Sequence, residues 1–450
     1  MTSTASSHAP IPPAVLPPPR WRFPEPTSDV TLDNGLRVLW YRVPGQYVLA
    51  ATLVLPLPLS AEPPALEGVA TITTRTLDEG TTAHPGEEFA ERLEASGAAF
   101  GATLSLSGQQ LMLDAPTTRV AEALPLLAEA LRSPELRATD VERHVALRLA
   151  EIEQLEANSA RTADRWLRRR LWQPGSRAHR LNGGEPETVA AITPDDVAAF
   201  HTAMGPAGAT LVLAGDLPEP PVDLVTTNLG GWDGGRPDVP QAPRPAAPSV
   251  LLVDRPGSVQ ADLRLGGPAV DRRDPRWADL RVAATAVGGS FLSRLNRVLR
   301  EERGFTYGVH LGLSPHHSGG SWTVAGSFRT EVVGATLTEL RTLLDLDAAP
   351  LDAEETGAAV RQLAGQGPMR CATAEGVVDQ VASSLLAGLP ADHLDAELAR
   401  LPEVTPESAT AAYTEVVDPT AASLVVVGDA AALAPALTAA GYPDVEVVSS

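Results

Sequence analysis

The sequence predicts an α+β protein of two homologous domains, each a largely antiparallel sheet with helices packed on one face. Three observations favour this fold class: two distant segments resemble each other, a Pro-rich stretch separates them, and strand and helix signals are mixed in each half. The chain has 450 residues, of which 44% are hydrophobic. That composition is sufficient for the cores of two domains of about 200 residues.

The first observation is an internal repeat. One copy begins with ITPDD at 192–196 and ends with ATLVLAGD at 209–216, and the other begins with VTPES at 404–408 and ends with ASLVVVGD at 422–429. The two Thr-Pro pairs are 212 residues apart and the two Gly-Asp pairs are 213 apart. In each copy the Thr is expected to cap a helix that starts at the Pro, and a buried strand should end at Gly-Asp. Equal internal spacing indicates a duplicated domain.

The domain boundaries follow from composition. Residues 1–27 are Pro-rich and are predicted to form a disordered arm, with no basic and apolar segments typical of a signal peptide. The first domain is placed at 28–232, a Pro/Gly linker at 233–248, and the second domain at 249–450.

The elements of the first domain begin with a hairpin signal, Asn34-Gly35, between two β-rich runs. Hydrophobic periodicity predicts the remaining elements of this domain. Strands are expected at 50–57, 102–107 and 111–114, and helices at 68–77, 87–96, 119–131, 139–158 and 160–171.

The charged residues exclude some classes of function. There are 56 acidic and 35 basic residues, all of the latter arginine, and the formal net charge is −21. This balance argues against a nucleic-acid partner. The sequence has no apolar run long enough to span a bilayer, so we expect no membrane partner and a cytoplasmic location.

The inventory of metal-binding residue types is poor. The single cysteine, Cys371, excludes a disulfide framework and a thiolate zinc site. None of the nine histidines pairs with another at a spacing that shares a helix face.

One segment nevertheless resembles a known metal-binding helix. Residues 68–81 read GVATITTRTLDEGT and resemble the zinc-site helix of insulinase/pitrilysin-like metallopeptidases, which include mitochondrial-processing-peptidase-like proteins and read roughly G-L-A-H-F-L-E-H-x-L-F-x-G-T. The hairpin LDNGLRV at 32–38 is similar to the family's start, and AEI at 150–152 is similar to its helix with the third zinc ligand. The resemblance covers nearly the whole chain and implies a two-domain protein that forms half of a clamshell.

The zinc ligands themselves differ. Where the family has His, Glu and His, this chain has Thr71, Thr74 and Arg75, and Glu151 matches the third ligand, 76 residues after Arg75. Hydroxyls are poor zinc ligands, a guanidinium repels the ion, and Thr74 cannot act as a general base. Glu151 is either a vestigial ligand or a solvated helix residue. We therefore expect no metal in this chain.

A second signature is retained. Residues 288–309 read GGSFLSRLNRVLREERGFTYGV and resemble the family's C-terminal-domain signature, with Arg300 and Tyr307 at its spacing of seven. A helix over 291–302, a stop at Gly304 and a strand over 305–313 would let both side chains converge. The resemblance implies that the pair binds the substrate backbone and stabilises its carbonyl oxygen at a facing zinc site. Alternatively, Arg300 caps a helix and Tyr307 packs in the sheet.

These features lead to a functional hypothesis and two alternatives. The resemblance implies a non-catalytic subunit of a heterodimeric zinc metallopeptidase, inactive alone, that lends Arg300 and Tyr307 to a homologous subunit with the HxxEH motif. Zinc would be held by that partner, and the substrate would be a peptide. The alternatives are a structural or binding protein, like the family-related core subunits of respiratory complexes, and a self-sufficient enzyme of unfamiliar chemistry.

Overall fold

Two six-stranded sheets organise the chain in the computed structural model, which describes residues 21–235 and 237–449. The strands of the first sheet are β1 (Ser28–Thr31), β2 (Arg37–Arg42), β3 (Val48–Leu55), β4 (Ala99–Ser105), β5 (Gly108–Pro116) and β6 (Thr210–Gly215). The strands of the second sheet are β7 (Val250–Asp254), β8 (Gln260–Ala269), β9 (Val309–Pro315), β10 (Gly320–Arg329), β11 (Ser423–Gly428) and β12 (Val445–Ser449).

The two sheets have the same topology over five strands. Their orders are β1-β2-β6-β3-β5-β4 and β12-β7-β11-β8-β10-β9. In each, one internal pair is parallel, β2 with β6 and β7 with β11, and the next three neighbours pair antiparallel. The sixth strand differs: β1 pairs antiparallel with β2, whereas β12 pairs parallel with β7. The shared order confirms the predicted duplication and the α+β class.

Helices connect the strands. In the first half, defined as residues 28–232, they are α1 (Val69–Thr76), α2 (Glu87–Ser96), α3 (Val120–Arg132), α4 (Ala138–Ala157), α5 (Ser159–Leu171), α6 (Pro186–Ala190), α7 (Pro194–His201) and α8 (Val222–Leu229). In the second half, residues 249–449, they are α9 (Trp277–Ala284), α10 (Arg294–Asn296), α11 (Val333–Leu344), α12 (Ala353–Arg370), α13 (Ala374–Leu386), α14 (His393–Arg400), α15 (Pro406–Val416) and α16 (Ala430–Ala439). No helix in the described ranges is long and apolar enough to cross a membrane.

The repeated segments form equivalent elements. Thr193 caps α7 and Thr405 caps α15, each accepting a hydrogen bond from a backbone N–H three residues later. The strands that follow, β6 and β11, are buried along their whole length and occupy the same place in their sheets. Capping chemistry and apolar periodicity were sufficient to predict both copies.

The two halves exchange a helix. Each sheet packs one face on helices of its own half, but α13 of the second half covers the other face of the first sheet, where Val378 and Val381 share a buried cluster with Tyr41. In return, α5 of the first half covers the second sheet, with Leu167 packed beside Val425. The central strands of each sheet are therefore buried on both faces, which the sequence analysis did not anticipate.

The predicted disordered arm ends earlier than expected. Residues 1–20 lie outside the described part, but Phe23 is 3% exposed and packs edge-on against Tyr41. Its backbone N–H donates to the Asp395 carboxylate of α14. The assignment of 21–27 to an unfolded arm was therefore wrong, because an aromatic side chain provides apolar area that the Pro-rich composition concealed.

The predicted linker follows the surface of the first half. Residues 237–248 contain no helix and no strand, only an isolated bridge between Pro245 and Trp172. Hydrogen bonds hold it at both ends: Asp238 N–H donates to Pro56 O at 2.9 Å, and Ala246 N–H donates to Leu171 O at 2.8 Å.

Substitution of Phe23 tests how residues 21–27 contribute to stability. We expect Phe23→Ala to lower the free energy of unfolding by about 3 kcal/mol, because it empties a buried site between the two halves. Urea unfolding followed by circular dichroism measures this change, and Arg22→Ala, at an exposed neighbour, should stay within about 0.5 kcal/mol. Equal midpoints for Phe23→Ala and the wild type would contradict the packing described.

Candidate functional site

The N-terminus of α1 is held by a buried carboxylate. Glu62 Oε1 accepts hydrogen bonds from the backbone N–H groups of Gly68 at 2.9 Å and Ala70 at 3.0 Å. Glu62 Oε2 accepts two more from Arg177, at 2.9 and 3.1 Å. The Glu62 side chain is inaccessible to solvent. This cluster fixes the helix that carries the degenerate zinc motif.

The two threonines of the motif lie inside the protein. Thr71 is 8% exposed and Thr74 is 3% exposed. The Thr74 hydroxyl donates to the backbone oxygens of Ala70 at 3.0 Å and Thr71 at 3.2 Å. Thr74 is thus bound to its own helix turn, which leaves no group at this position that could take a proton from water.

Arg75 and Glu151 form a bidentate ion pair between α1 and α4. The Arg75 Nη1 and Nη2 atoms donate to the two Glu151 oxygens at 2.9 and 3.0 Å. Arg148 donates to the same carboxylate at 3.1 Å and, through Nε, to Gly183 O at 2.9 Å. The structure therefore brings two of the predicted positions, Arg75 and Glu151, together, but as an ion pair rather than as metal ligands.

The electrostatics of the pair disfavour a cation. Partial burial alone would raise the pKa of Glu151, but hydrogen bonds and charges from Arg75 and Arg148 outweigh it and lower the pKa below its usual range. Both carboxylate oxygens already bind guanidinium groups. Across residues 21–235 and 237–449, no group of three His, Cys, Asp or Glu side chains could hold a metal ion. The residues present do not fit zinc.

The end of the motif contains a second charged cluster. His144 of α4 lies 2.7 Å from Glu79 Oε1, and Arg143 lies 2.6 Å from the other Glu79 oxygen. Burial raises the pKa of the neighbouring Asp78 to about 6, and the charge of Glu79 adds to that shift. This cluster anchors the end of α1 on α4.

Arg300 lies over an aromatic ring. It sits in the π-helical turn Arg297–Glu302 that continues α10, and its guanidinium carbon is 3.6 Å from the centre of the Phe291 ring. Its Nη2 donates to Phe291 O at 3.1 Å, and its Nε donates to Glu301 at 2.8 Å. Arg300 therefore rests on the segment before its own helix.

Tyr307 is almost fully solvated. It is 97% exposed and lies in a loop in front of β9. Thr306 shapes this loop: its hydroxyl donates to Ser327 O at 2.8 Å and accepts from Gly308 N–H at 3.1 Å. Within the described residues, no hydrogen bond or ion pair joins Tyr307 to Arg300. The sequence offered one alternative, in which Arg300 caps a helix and Tyr307 packs in the sheet. The structure contradicts it, because the Arg300 guanidinium donates to Phe291 O ahead of the helix and Tyr307 is exposed.

Two element boundaries of this signature were predicted wrongly. The helix begins at Arg294 rather than 291, because Ser293 has an extended backbone and Phe291 and Leu292 remain exposed. The strand begins at Val309 rather than 305. The stop at Gly304 is confirmed by its φ of 62°. Gly288 is required by packing, since a Cβ there would lie 2.5 Å from Leu311 Cβ.

Sequence reasoning missed the buried charges. Besides Glu62 and Arg177, Glu67 lies buried against Arg180. It also missed a group of arginines on α5, although the run SARTADRWLRRRL contains five of them in thirteen residues. Such a density of arginine on a helix with one carboxylate was a usable signal.

Comparison with known proteins establishes the family. The model described as insulinase (peptidase family M16) matches residues 59–183, and the model described as peptidase M16 inactive domain matches residues 191–363. Together they cover more than half of the chain. The chain belongs to peptidase family M16, and its second match is to that family's inactive domain.

Individual relatives agree with this assignment. The chain is 26% identical over 399 residues to an uncharacterized zinc protease of Streptomyces coelicolor, with 86% of each chain covered. It resembles the crystal structure of a peptidase M16 inactive domain from Pseudomonas fluorescens, with TM-score 0.81, 25% identity and coverage of 89% of this chain and 98% of that one. A protease from Helicobacter pylori has the same fold, with TM-score 0.82, 14% identity and coverage of 90% and 100%. A chain of complex III2 from Candida albicans, Inz-5 bound, also shares it, with TM-score 0.77, 14% identity and coverage of 93% and 100%.

Three substitutions that introduce the family's zinc ligands test this description of the site. We expect Thr71→His/Thr74→Glu/Arg75→His to gain about one zinc per chain, because positions 71 and 75 share a helix face and Glu151 lies beside position 75. Metal analysis after dialysis measures this, and we expect the wild type to stay nearly zinc-free. Addition of Glu151→Ala should abolish the gain. Stoichiometric zinc in the wild type, or none in a folded triple variant, would contradict this interpretation of the site.

Asp78 should make stability depend on pH. Its folded pKa of about 6 exceeds the unfolded value of about 3.9, so stability falls as pH rises between these values. We expect Asp78→Asn to raise the free energy of unfolding at pH 7.5 by about 1–3 kcal/mol and to change it little at pH 4. Urea titrations at both pH values measure this. The exposed-site control Asp444→Asn should show no such difference, and a stability loss at pH 7.5 in Asp78→Asn would refute the assignment.

Proposed function

We propose that the chain is the non-catalytic subunit of a heterodimeric zinc metallopeptidase and that it supplies Arg300 and Tyr307 to the zinc site of a homologous HxxEH subunit. The observation that supports this proposal is a contrast between the degenerate zinc motif and the Arg300–Tyr307 signature of the same chain. Arg75 and Glu151 neutralise each other where the metal would lie, whereas Tyr307 stands in solvent with no partner among the described residues. A chain with that combination needs a second subunit to complete a peptidase site.

The surface around Arg300 supports an interaction with a partner. Phe291 is 73% exposed and Leu292 is 78% exposed, and both lie in the segment on which Arg300 rests. A cleft of about 330 Å³ adjoins them, lined by Ala358 and Gln362 of α12. Large apolar side chains grouped at the surface commonly mark a site for a protein or peptide.

The chemistry of the two side chains fits the proposed task. A guanidinium is permanently charged and offers several donors in one plane, and a phenol offers one more. Aimed at a peptide carbonyl, they would hold the substrate backbone and stabilise the oxygen as negative charge develops. The partner's zinc would polarise the same carbonyl and activate water. This chain contributes binding and charge stabilisation, not the proton transfer.

The proposal is tested by reconstitution. The chain is co-expressed with an HxxEH homologue from the same genome, the complex is isolated by size exclusion, and hydrolysis of quenched fluorogenic peptides is measured. We expect activity only from the complex. Arg300→Ala and Tyr307→Phe should each lower kcat/KM by about 10²-fold or more without dissociating the complex. Arg297→Ala, at an exposed arginine of the same turn, is the matched control and should retain full activity.

Three outcomes would overturn the proposal. Full activity of the HxxEH partner alone removes the need for this chain. Unchanged kcat/KM in the Arg300 and Tyr307 variants removes their role. Stable association with subunits that are not peptidases, with no cleavage in any combination, would favour the structural alternative instead.

A further inference from the structure

A cationic cleft lies between α4, α5 and the end of β12. It has a volume of about 330 Å³, and four arginines of α5 line it: Arg161, Arg165, Arg168 and Arg169. This size is within the usual range of small-ligand sites. In a chain of net charge −21, such a concentration of positive charge requires a local explanation.

The carboxylates nearby do not balance these arginines. Arg165 pairs with Glu156 and Glu185, and Arg169 pairs with the same Glu185 oxygen at 3.0 Å. Arg161 and Arg168 have no carboxylate within 4.0 Å in the described part of the chain. Arg168 uses only Nη1, which donates to Arg180 O at 3.0 Å and to the Asn182 side chain at 2.7 Å. The two carboxylates that line the cleft, Glu156 and Asp164, pair with Arg165 and Arg264. Among the described residues, Arg161 and Arg168 therefore form no ion pair.

Arg168 is buried beside another cation. Burial and the charge of Arg177 lower the pKa of Arg168 below its ordinary value, and the charges of Glu185 and Asp164 offset this effect only in part. Burial and the charge of Arg168 also lower the pKa of His316 to about 4, so that this imidazole is neutral at physiological pH. A buried cation without a counter-ion is unfavourable. The cleft is thus suited to receive an anion.

The other walls of the cleft are partly apolar. Leu155 of α4, Trp166 of α5 and Leu181 form the apolar part, and the lining is completed by Glu156, Thr162, Asp164 and Ser449. The guanidinium carbon of Arg169 lies 5.3 Å from the centre of the Trp166 ring, so the two side chains form a cation–π contact. A ligand that fits both features combines a carboxylate with an apolar body. A fully hydrated anion such as phosphate would leave the apolar wall unused.

The cleft lies next to the degenerate motif. Leu155 follows Glu151 by one turn of α4, a rise of about 6 Å. The Leu155 wall of the cleft therefore lies one helical turn from Glu151, the ion-pair partner of Arg75.

We propose that this cleft binds the free C-terminal carboxylate of a peptide whose last residue is apolar, with Arg161 and Arg168 as the anion-binding groups. This proposal rests on the proposed function, because both take the bound molecule to be a peptide. The cleft would be a second peptide-binding site, remote in sequence from Arg300 and Tyr307. The arginines bind the carboxylate while Trp166 and the two leucines contact the terminal side chain.

Binding to the chain alone tests this proposal independently of any partner. A fluorescein-labelled pentapeptide ending in leucine is titrated against the purified chain and followed by anisotropy. The free acid should bind at least about tenfold more tightly than the C-terminal amide. Arg161→Ala and Arg168→Gln should each weaken the free acid about tenfold and leave the amide unchanged, while the remote surface variant Arg92→Ala should have no effect.

The outcomes separate the alternatives. Equal affinity for acid and amide, or unchanged binding in both arginine variants, would overturn the carboxylate site. Inorganic phosphate that competes at lower concentration than the peptide would replace it with a phosphate site. Arg161 is exposed, so Arg161→Ala remains informative even if Arg168→Gln destabilises the chain. Reconstituted cleavage that depends on Arg300 while this titration fails would refute the cleft and leave the proposed function intact.

Discussion

The position of α1 depends on one buried carboxylate. Glu62 receives four hydrogen bonds, two from the first amides of the helix and two from Arg177. Burial raises the pKa of Glu62, and those donors oppose it. A buried charge is tolerated only when such partners are complete. The position of the helix therefore does not depend on a metal ion, and Arg75 is held where it meets Glu151.

At the degenerate motif the Arg75 guanidinium resembles a metal ion only in its positive charge. It supplies positive charge between α1 and α4, but it provides neither an open coordination position nor an activated water. The side chains of the pair are 35% and 41% exposed, so its contribution to stability is at most about 1 kcal/mol. The stability of the fold comes mainly from its apolar cores. The ion pair instead occupies the Glu151 carboxylate, which is then not available to a metal ion.

The sequence was sufficient where structure follows from local pattern. Helical periodicity placed α1 to α5 within about two residues, and the Thr-Pro caps located both repeats. The sequence was insufficient where distant parts of the chain meet. It did not predict that Phe23 packs on Tyr41, or that Arg168 forms no ion pair with any described residue. Tyr307 was misplaced because the side chain of Thr306 competes with strand formation. The apolar run 211–214 predicted a buried strand, but it did not show that a helix of the other half covers one face of that strand.

The exchanged helices make the duplicated halves dependent on each other. The first sheet is completed by α13 and the second by α5. A change of side-chain volume in α13 must be accommodated in the opposite half, so the two copies are constrained to co-evolve although their sequences have diverged. For the same reason, we expect that neither half folds stably without the other. Recombination that swaps one half for that of a relative would bring together surfaces that never adapted to each other.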